Sequence, residues 1–481
     1  MGNGGCVMGA KVPLKELHFG HLDASQEAAE QPELLRDGYY DYREAAFSVA
    51  SRNAFVLLGP KGSGKSAVIE HLRLKWSGQW DRFLTRWDLR GFPVSDVTSM
   101  QIYGSQGAAR NQSAWELMLL AKVFESLAED QGAGPSTELN RTASWLARNG
   151  LSPDTGKGGR MRVAEFKVDL KVVAATLNSG NLASPLGASQ FLRDSLARVS
   201  TDSQHVIALD GLDSFFFEDD SEWASLSGLM QAILSLNRQM RELGLKITIV
   251  AALRSDIFDL LPGGENNKLK PHVVHLDWHA NGIGPDNHLW RLLTEKVRVH
   301  RPQVQNLVAD YFSRPVQIGP HHEMVTYLLE HTRLLPRDAV ALMGYMQMCY
   351  KGDRSVPEGN AKDAVRRYSE EYFVGEIFDN LSGVVPGVGA RQLVSFKDAL
   401  RSVPSRVFSF DDVTSELDGI LSKQQVRELL RQMFETGGVG IFNRHARYTD
   451  FVFRKVSGAA FTTNREFMLH EALVKAWNRP H

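Results

Sequence analysis

Residues 54–67, AFVLLGPKGSGKSA, constrain this chain more than any other stretch. A run of apolar, β-branched and aromatic residues closed by glycine predicts a buried strand. The glycines forbid its continuation, and SAVIEHLRLKW behind them has apolar residues at helical spacing. From Gly59 to Ser66 the loop fits G-x-x-x-x-G-K-[ST], with Gly62, Ser63, Gly64 and Ala67 keeping it small. Small residues let backbone N–H groups converge on a polyphosphate, and the helix N-terminus adds partial positive charge. Lys65 is placed to reach the β- and γ-phosphates, and Ser66 to offer its hydroxyl to Mg²⁺. A glycine-rich turn with an incidental lysine is the plainer reading, but it does not account for the strand and helix on either side. The pattern predicts a site for a nucleoside triphosphate and Mg²⁺.

Such a loop needs a second strand that ends in a metal-holding acid. HVIALDGLDSFF (205–216) supplies one, with Asp210 at the strand's C-terminal tip. Ligands of a doubly wound sheet lie outside those tips, so Asp210 is the candidate to hold Mg²⁺ through water, opposite Ser66. Gly211 follows, and no glutamate stands directly beside the metal acid. Asp213 is the nearest carboxylate that could polarise the attacking water, with Glu218 a weaker candidate. A turn residue or helix cap is an equally open reading of Asp213. KITIVAAL (246–253) predicts a further strand ending in Arg254, placed to meet a γ-phosphate or, alternatively, to pair with Asp256 or Asp213. In TRLLPRDAVALM (332–343), Pro336 opens a helix and Arg337 sits at its N-terminus, suited to a lid arginine over the nucleotide or to a tie between helices.

In their order, GPKGSGKS, LDGLD, LRSDIF and LLPRDA resemble the AAA+-related P-loop ATPases of the STAND and origin-recognition type. LDGLD is similar to the acid motif of the NACHT branch, and the lead-in LDASQEAAEQPELLRDGYYDYREA resembles that of a set of bacterial P-loop ATPases. The resemblance covers most of the chain but is detailed only at the motifs, of which the first is the most specific. It implies that Lys65 and Ser66 bind phosphate and Mg²⁺, that Asp210 is the metal acid, and that Arg254 and Arg337 are the first and second sensors. The paired Asp-Glu of the common AAA+ pattern is missing, which favours a slow switch over a motor. An oligomer whose neighbour supplies an arginine, and service in bacterial anti-phage defence, are further implications of the resemblance.

The predicted fold class is α/β: a doubly wound parallel sheet of the P-loop NTPase kind, followed by a helical lid and a winged helix. Residues 1–53 form a helix–loop lead-in bordering the base, and 54–285 the core, with FLTRWDLRGF (83–92) a second strand. SAWELMLLAKVFESLAED (113–130) predicts a helix, 166–177 a strand, and 149–160 and 178–190 loops; 131–190 reads as an insertion with its own surface role or as a disordered loop. Residues 286–382 carry apolar residues at helical spacing and form the lid. Its Met343, Met346 and Met348 read as core rather than a partner groove.

Residues 383–481 read as helix, helix and hairpin, the order of a winged helix, with QQVRELLRQMFETG as the recognition-type helix and NRHARY as the wing. Residues 421–481 hold ten Lys/Arg and five Asp/Glu. Arg427, Arg431, Arg444, Arg447 and Arg454 are the candidates for phosphate contact, opposed by Glu428 and Glu435 on the same helix. A protein-contacting winged helix is the alternative.

With 481 residues the chain has room for two or three cores. A net charge of −1 shows no global footprint for nucleic acid or membrane. Cys6 and Cys349 are too few for a disulfide framework or cysteine metal site, which favours a reducing cytoplasm. No apolar run is long enough to span a bilayer. The start MGNGGCV has Cys6 where a myristoylation signal carries Ser or Thr, and no secretory signal is read. The fifteen histidines show no paired ligand spacing, and His321 and His322 would face different sides of a helix. Three function classes remain: an ATP-driven oligomerising switch acting on itself or a partner protein; an origin-recognition-like module binding duplex DNA non-specifically with ATP as a clamp; and a small-molecule P-loop kinase, which the lid and winged helix disfavour.

Overall fold

The computed structural model describes residues 12–90, 108–148, 151, 185–212, 220–259, 261, 266–383, 385–445, 448–452 and 460–478. Contacts divide the chain into two compact units, one of Met1–Tyr42, Pro60–Ala67 and Leu276–His481, the other of Arg43–Gly59 and Val68–His275.

The second unit is built on a five-stranded parallel sheet: β1 (Val56–Leu58), β2 (Arg82–Asp88), β3 (Gln204–Asp210), β4 (Ile247–Leu253) and β5 (Val273–His275), in the order β2-β3-β4-β1-β5. All four pairings are parallel. Strands of such a sheet are buried on both faces, which is why β4 is buried at every position. β1 is short and pairs only with Ala251–Leu253 of β4. The side chain of Asn237 substitutes for it further back, donating to the Ile249 carbonyl at 2.9 Å and accepting from its N–H at 2.8 Å. The helices Ala108–Glu129 and Asp220–Glu242 pack on each other and on the sheet, joined by a hydrogen bond from buried Trp115 to Ser225.

The helix expected at 113–130 is longer, Ala108–Glu129. Part of the expected insertion is helical: Ser136–Arg148 and Pro185–Leu196 both pack against it. The loop expected at 178–190 is corrected from residue 185 onward, because PLGASQFLRDSL buries Ala188, Leu192 and Leu196 along one helical face. The strand expected at 166–177 lies outside the described residues, as does all of 149–160 except Leu151.

In the first unit the lead-in carries the helices Ala24–Glu30, capped by Asp23, and Pro32–Arg36. Lys296, on the helix His288–His300, forms a buried ion pair with Glu27. The lid continues with β6 (Pro315–Ile318) and β7 (His321–Glu323), then the helices Met324–Glu330, Pro336–Cys349, Glu358–Tyr368 and Val374–Asp379. His321 and His322 therefore lie on a strand, not a helix. Met343 and Met346 are buried as expected of core, whereas Met348 is 57% exposed.

A winged helix ends this unit. The helix Ala390–Ser402 leads into β8 (Val407–Phe408), the helices Phe410–Glu416 and Lys423–Glu435, and then β9 (Val439–Asn443), β10 (Tyr448–Asp450) and β11 (Glu466–Leu469). The sheet order is β10-β9-β11-β8, with β9–β10 as the wing hairpin. Ser409 and Ser422 cap the two central helices through reciprocal bonds with Asp412 and Gln425. The recognition-type helix buries Val426, Leu429, Leu430, Met433 and Phe434, one face of a 3.6-residue period. No helix among the described residues is long and apolar enough to cross a membrane.

Candidate functional site

The glycine-rich loop belongs to the first unit, and its conformation needs its glycines. Gly62 and Gly64 have φ of +88° and +97°, the left-handed region where a side chain is strained. A Cβ on Gly62 would also come within 3.2 Å of the Arg337 Cβ. The closeness follows from a backbone bond: the Arg337 N–H donates to the Gly62 carbonyl at 3.3 Å. Pro336, at the helix start, approaches Gly64. Arg337 then extends its Nε to the Leu22 carbonyl at 3.1 Å, with Nη1 3.8 Å from Glu376. Lys61 reaches Asn380 at 3.0 Å. The lead-in, the loop and the lid helices thus meet around one arginine.

Trp278 braces the loop from another direction. Its buried indole donates to the Ser63 carbonyl at 2.9 Å and stacks on Tyr42, ring centroids 4.2 Å apart. Lys65 is buried, and its Nζ donates to the Pro60 carbonyl at 3.0 Å. Ser63 is fully buried, yet its Oγ has no hydrogen-bond partner among the described residues. A buried hydroxyl without a partner is costly, so its place in this loop marks a position for a polar ligand. A loop with two left-handed glycines, a buried ammonium and an orphaned hydroxyl fits a triphosphate. Ser66 and Ala67 lie in the first turn of the helix Lys65–Trp76.

The second unit holds the acid. Asp210 ends β3 and is buried. One oxygen accepts from Arg86 at 2.7 Å, the other from the Gly211 N–H at 2.9 Å. The second arm of Arg86 bonds buried Glu70 at 2.7 Å, and Glu70 also pairs with Arg73 at 2.6 Å. Arg86 therefore joins the helix behind the loop to the tip of β3. Asp88, at the end of β2, takes both Nε and the backbone N–H of Arg90 at 3.0 Å. Burial alone would raise the Asp88 carboxyl, but its bonds and charge pairing with Arg90, and the charge of Arg86, hold it below the ordinary carboxylate value. Arg254 sits at the tip of β4 with Asp256 as partner through both arms, at 3.0 and 2.6 Å, the alternative that the sequence left open for it. Asp213 and Glu218 lie outside the described residues.

In the winged helix, Arg427 and Arg431 are exposed on the recognition-type helix. Arg431 is 3.6 Å from Glu428 and lies over the Phe461 ring. Arg444 is held by Glu466 through both arms. Arg447 and Arg454 lie outside the described residues. No group of three potential metal ligands occurs among His, Cys, Asp and Glu of the described residues.

Four residues of these sites were not singled out from sequence: Glu70, Arg86, Asp88 and Trp278. Arg86 and Asp88 left a trace, opposite charges at alternate positions near the end of the strand RFLTRWD. Trp278 left none.

No protein family matches the sequence, and neither does a curated protein. Among solved structures, Cdc6p from Pyrobaculum aerophilum is similar over 95% of this chain and 93% of that one, with 12% sequence identity and a TM-score of 0.30. A likeness that distant carries no statement about function.

Proposed function

We propose that this chain is an Mg²⁺-dependent P-loop ATPase of the AAA+-related kind that works as a slow, oligomerising switch. The observation that carries the reading is the loop itself: the orphaned Ser63 hydroxyl and buried Lys65 lie beside a lid helix whose first residues, Pro336 and Arg337, rest on Gly62 and Gly64. The strand order supports it, with the Arg254 strand between the loop strand and the acid strand. Lys65 would hold the β- and γ-phosphates, Ser66 and Asp210 the metal, Arg254 the γ-phosphate and Arg337 the nucleotide from the lid. When bound, Mg²⁺ neutralises charge on the phosphate oxygens. Arg337 ties loop, lead-in and lid together, so a change in its bonding on nucleotide binding would reach all three. Gly211 in place of a paired acid favours slow turnover. Action on further copies of this chain or on a partner protein, and service in anti-phage defence, rest on the motif resemblance.

Lys65→Ala tests the site. It removes a cation buried in the loop, so labelled-ATP affinity in Mg²⁺ should fall at least tenfold, about 1.4 kcal/mol. Any ATP-dependent increase in size by light scattering should go with it. A variant that binds like the parent places the nucleotide elsewhere.

Duplex DNA contact through residues 421–481 is the second reading. Exposed Arg427, which has no acidic partner among the described residues, favours it; the pairing of Arg431 and Arg444 weakens it.

A further inference from the structure

Asp88 ends β2 as the parallel register partner of Asp210, so both side chains leave the same face at the C-terminal edge of the sheet. One nitrogen of Arg86, Nη2, lies 2.7 Å from Asp210 Oδ2 and 3.7 Å from Asp88 Oδ2, and the two carboxylates flank it. Position 211 is where a paired acid would stand. It is a glycine with φ of +80°, and a Cβ there would come 2.8 Å from Asp88 Oδ1 and 2.7 Å from the Arg90 Cγ. The space beside the metal acid is filled from the neighbouring strand instead. Asp88 is also the accessible member of the pair, its side chain 36% exposed against 8% for Asp210. Glu70 cannot take this part, being buried between Arg86 and Arg73.

We infer that Asp88 is the carboxylate that orients the attacking water, replacing from β2 the acid absent at position 211. The inference rests on the ATPase reading above. Ligands of a parallel sheet lie outside the C-terminal strand ends, the edge that Asp88 occupies. The water oxygen bonds to the γ-phosphorus as the bond to the β–γ bridging oxygen breaks. ADP departs with that electron pair, and the water's proton passes through Asp88 to the released phosphate. Arg90 fixes the carboxylate's direction.

The test compares Asp88→Asn, Asp88→Glu and Asp213→Asn in the full chain, measuring labelled-ATP affinity, thermal midpoint and turnover at saturating ATP and Mg²⁺. Asp88→Asn should lose roughly 10²-fold in turnover, the scale of general-base loss, with affinity and midpoint unchanged. Asp88→Glu should recover part of the rate. The inference fails if Asp88→Asn hydrolyses like the parent, if its affinity falls as far as its turnover, or if Asp213→Asn alone is inactive. A parent that binds ATP without hydrolysing it removes the inference and the hydrolytic part of the proposed function. A parent that binds no ATP removes the site reading itself.

Discussion

At the start of β3, His205 lies between Ser126, 2.9 Å from Nδ1, and Asp130, 3.3 Å from Nε2. At its end, Asp210 lies 2.7 Å from Arg86. By residue type the first group is a serine–histidine–aspartate array and the second an ion pair, yet the proposed function uses the second. The His205 and Asp130 side chains are 0% and 1% exposed, and Thr201 and Gly132 take further positions around the carboxylate, so no substrate reaches them. The array closes the sheet's N-terminal edge as a satisfied polar cluster. At the C-terminal edge the buried acids Glu70 and Asp210 share Arg86 with an exposed one, Asp88. Residue types alone do not distinguish a site from a plug; the end of the parallel strand at which they stand does.

Arg86→Ala should break the open end with the largest effect. It leaves Glu70 and Asp210 buried without their shared cation, so unfolding free energy should fall by about 3–5 kcal/mol in denaturant titrations. A loss comparable to that of an exposed pair would show that the network is solvent-screened.

His205→Ala should break the closed end less severely. Ser126 and Asp130 lose a partner inside the protein, costing about 1–3 kcal/mol. ATP affinity should stay at the parent's value, since no part of the array faces a ligand. A fall in affinity without a fall in stability would place function at both ends.

A smaller effect appears with pH. Burial lowers the His205 pKa from its ordinary 6.5, against the pull of Asp130, so the folded ring stays neutral while the unfolded one takes a proton. The unfolded chain then binds more protons below pH 6.5, and stability should decline as pH falls through that value. The decline between pH 7 and 5 should be shallower in His205→Ala. Equal slopes would assign the dependence to other groups. Asp130, which burial raises but hydrogen bonds from Thr201, Gly132 and Ser203 lower overall, adds its loss only in stronger acid.

The smallest effect is expected on the winged helix, where charges are exposed rather than held by a sheet. Arg427→Ala should reduce the salt slope of any duplex DNA binding by about one unit, and leave stability within about 0.5 kcal/mol. An unchanged slope would assign this helix to protein contact.

Local patterns were legible where one segment carries its own physics. β1 and the glycine loop, β3 with Asp210 at its tip, β4 with Arg254, and the Pro336 helix all stand close to where apolar runs and punctuating residues placed them. The winged helix was legible only in part: its recognition-type helix and hairpin declare themselves by period, but the two-residue β8 and the four-residue β11 are too short to do so. Helix Pro185–Leu196 reads locally as loop up to residue 190, because its glycine and serines outweigh the buried face that packing supplies.

The sequence by itself determined the glycine-rich loop, because its conformation depends on glycines whose backbone freedom is local. Tertiary structure alone decided what surrounds those residues. Asp88 meets Asp210 across 122 positions of chain only because β2 and β3 pair in one register, and Gly211 leaves the room. Trp278 meets Ser63 across 215 positions of chain. Such contacts depend on strand register and packing, long-range properties that no window of sequence contains.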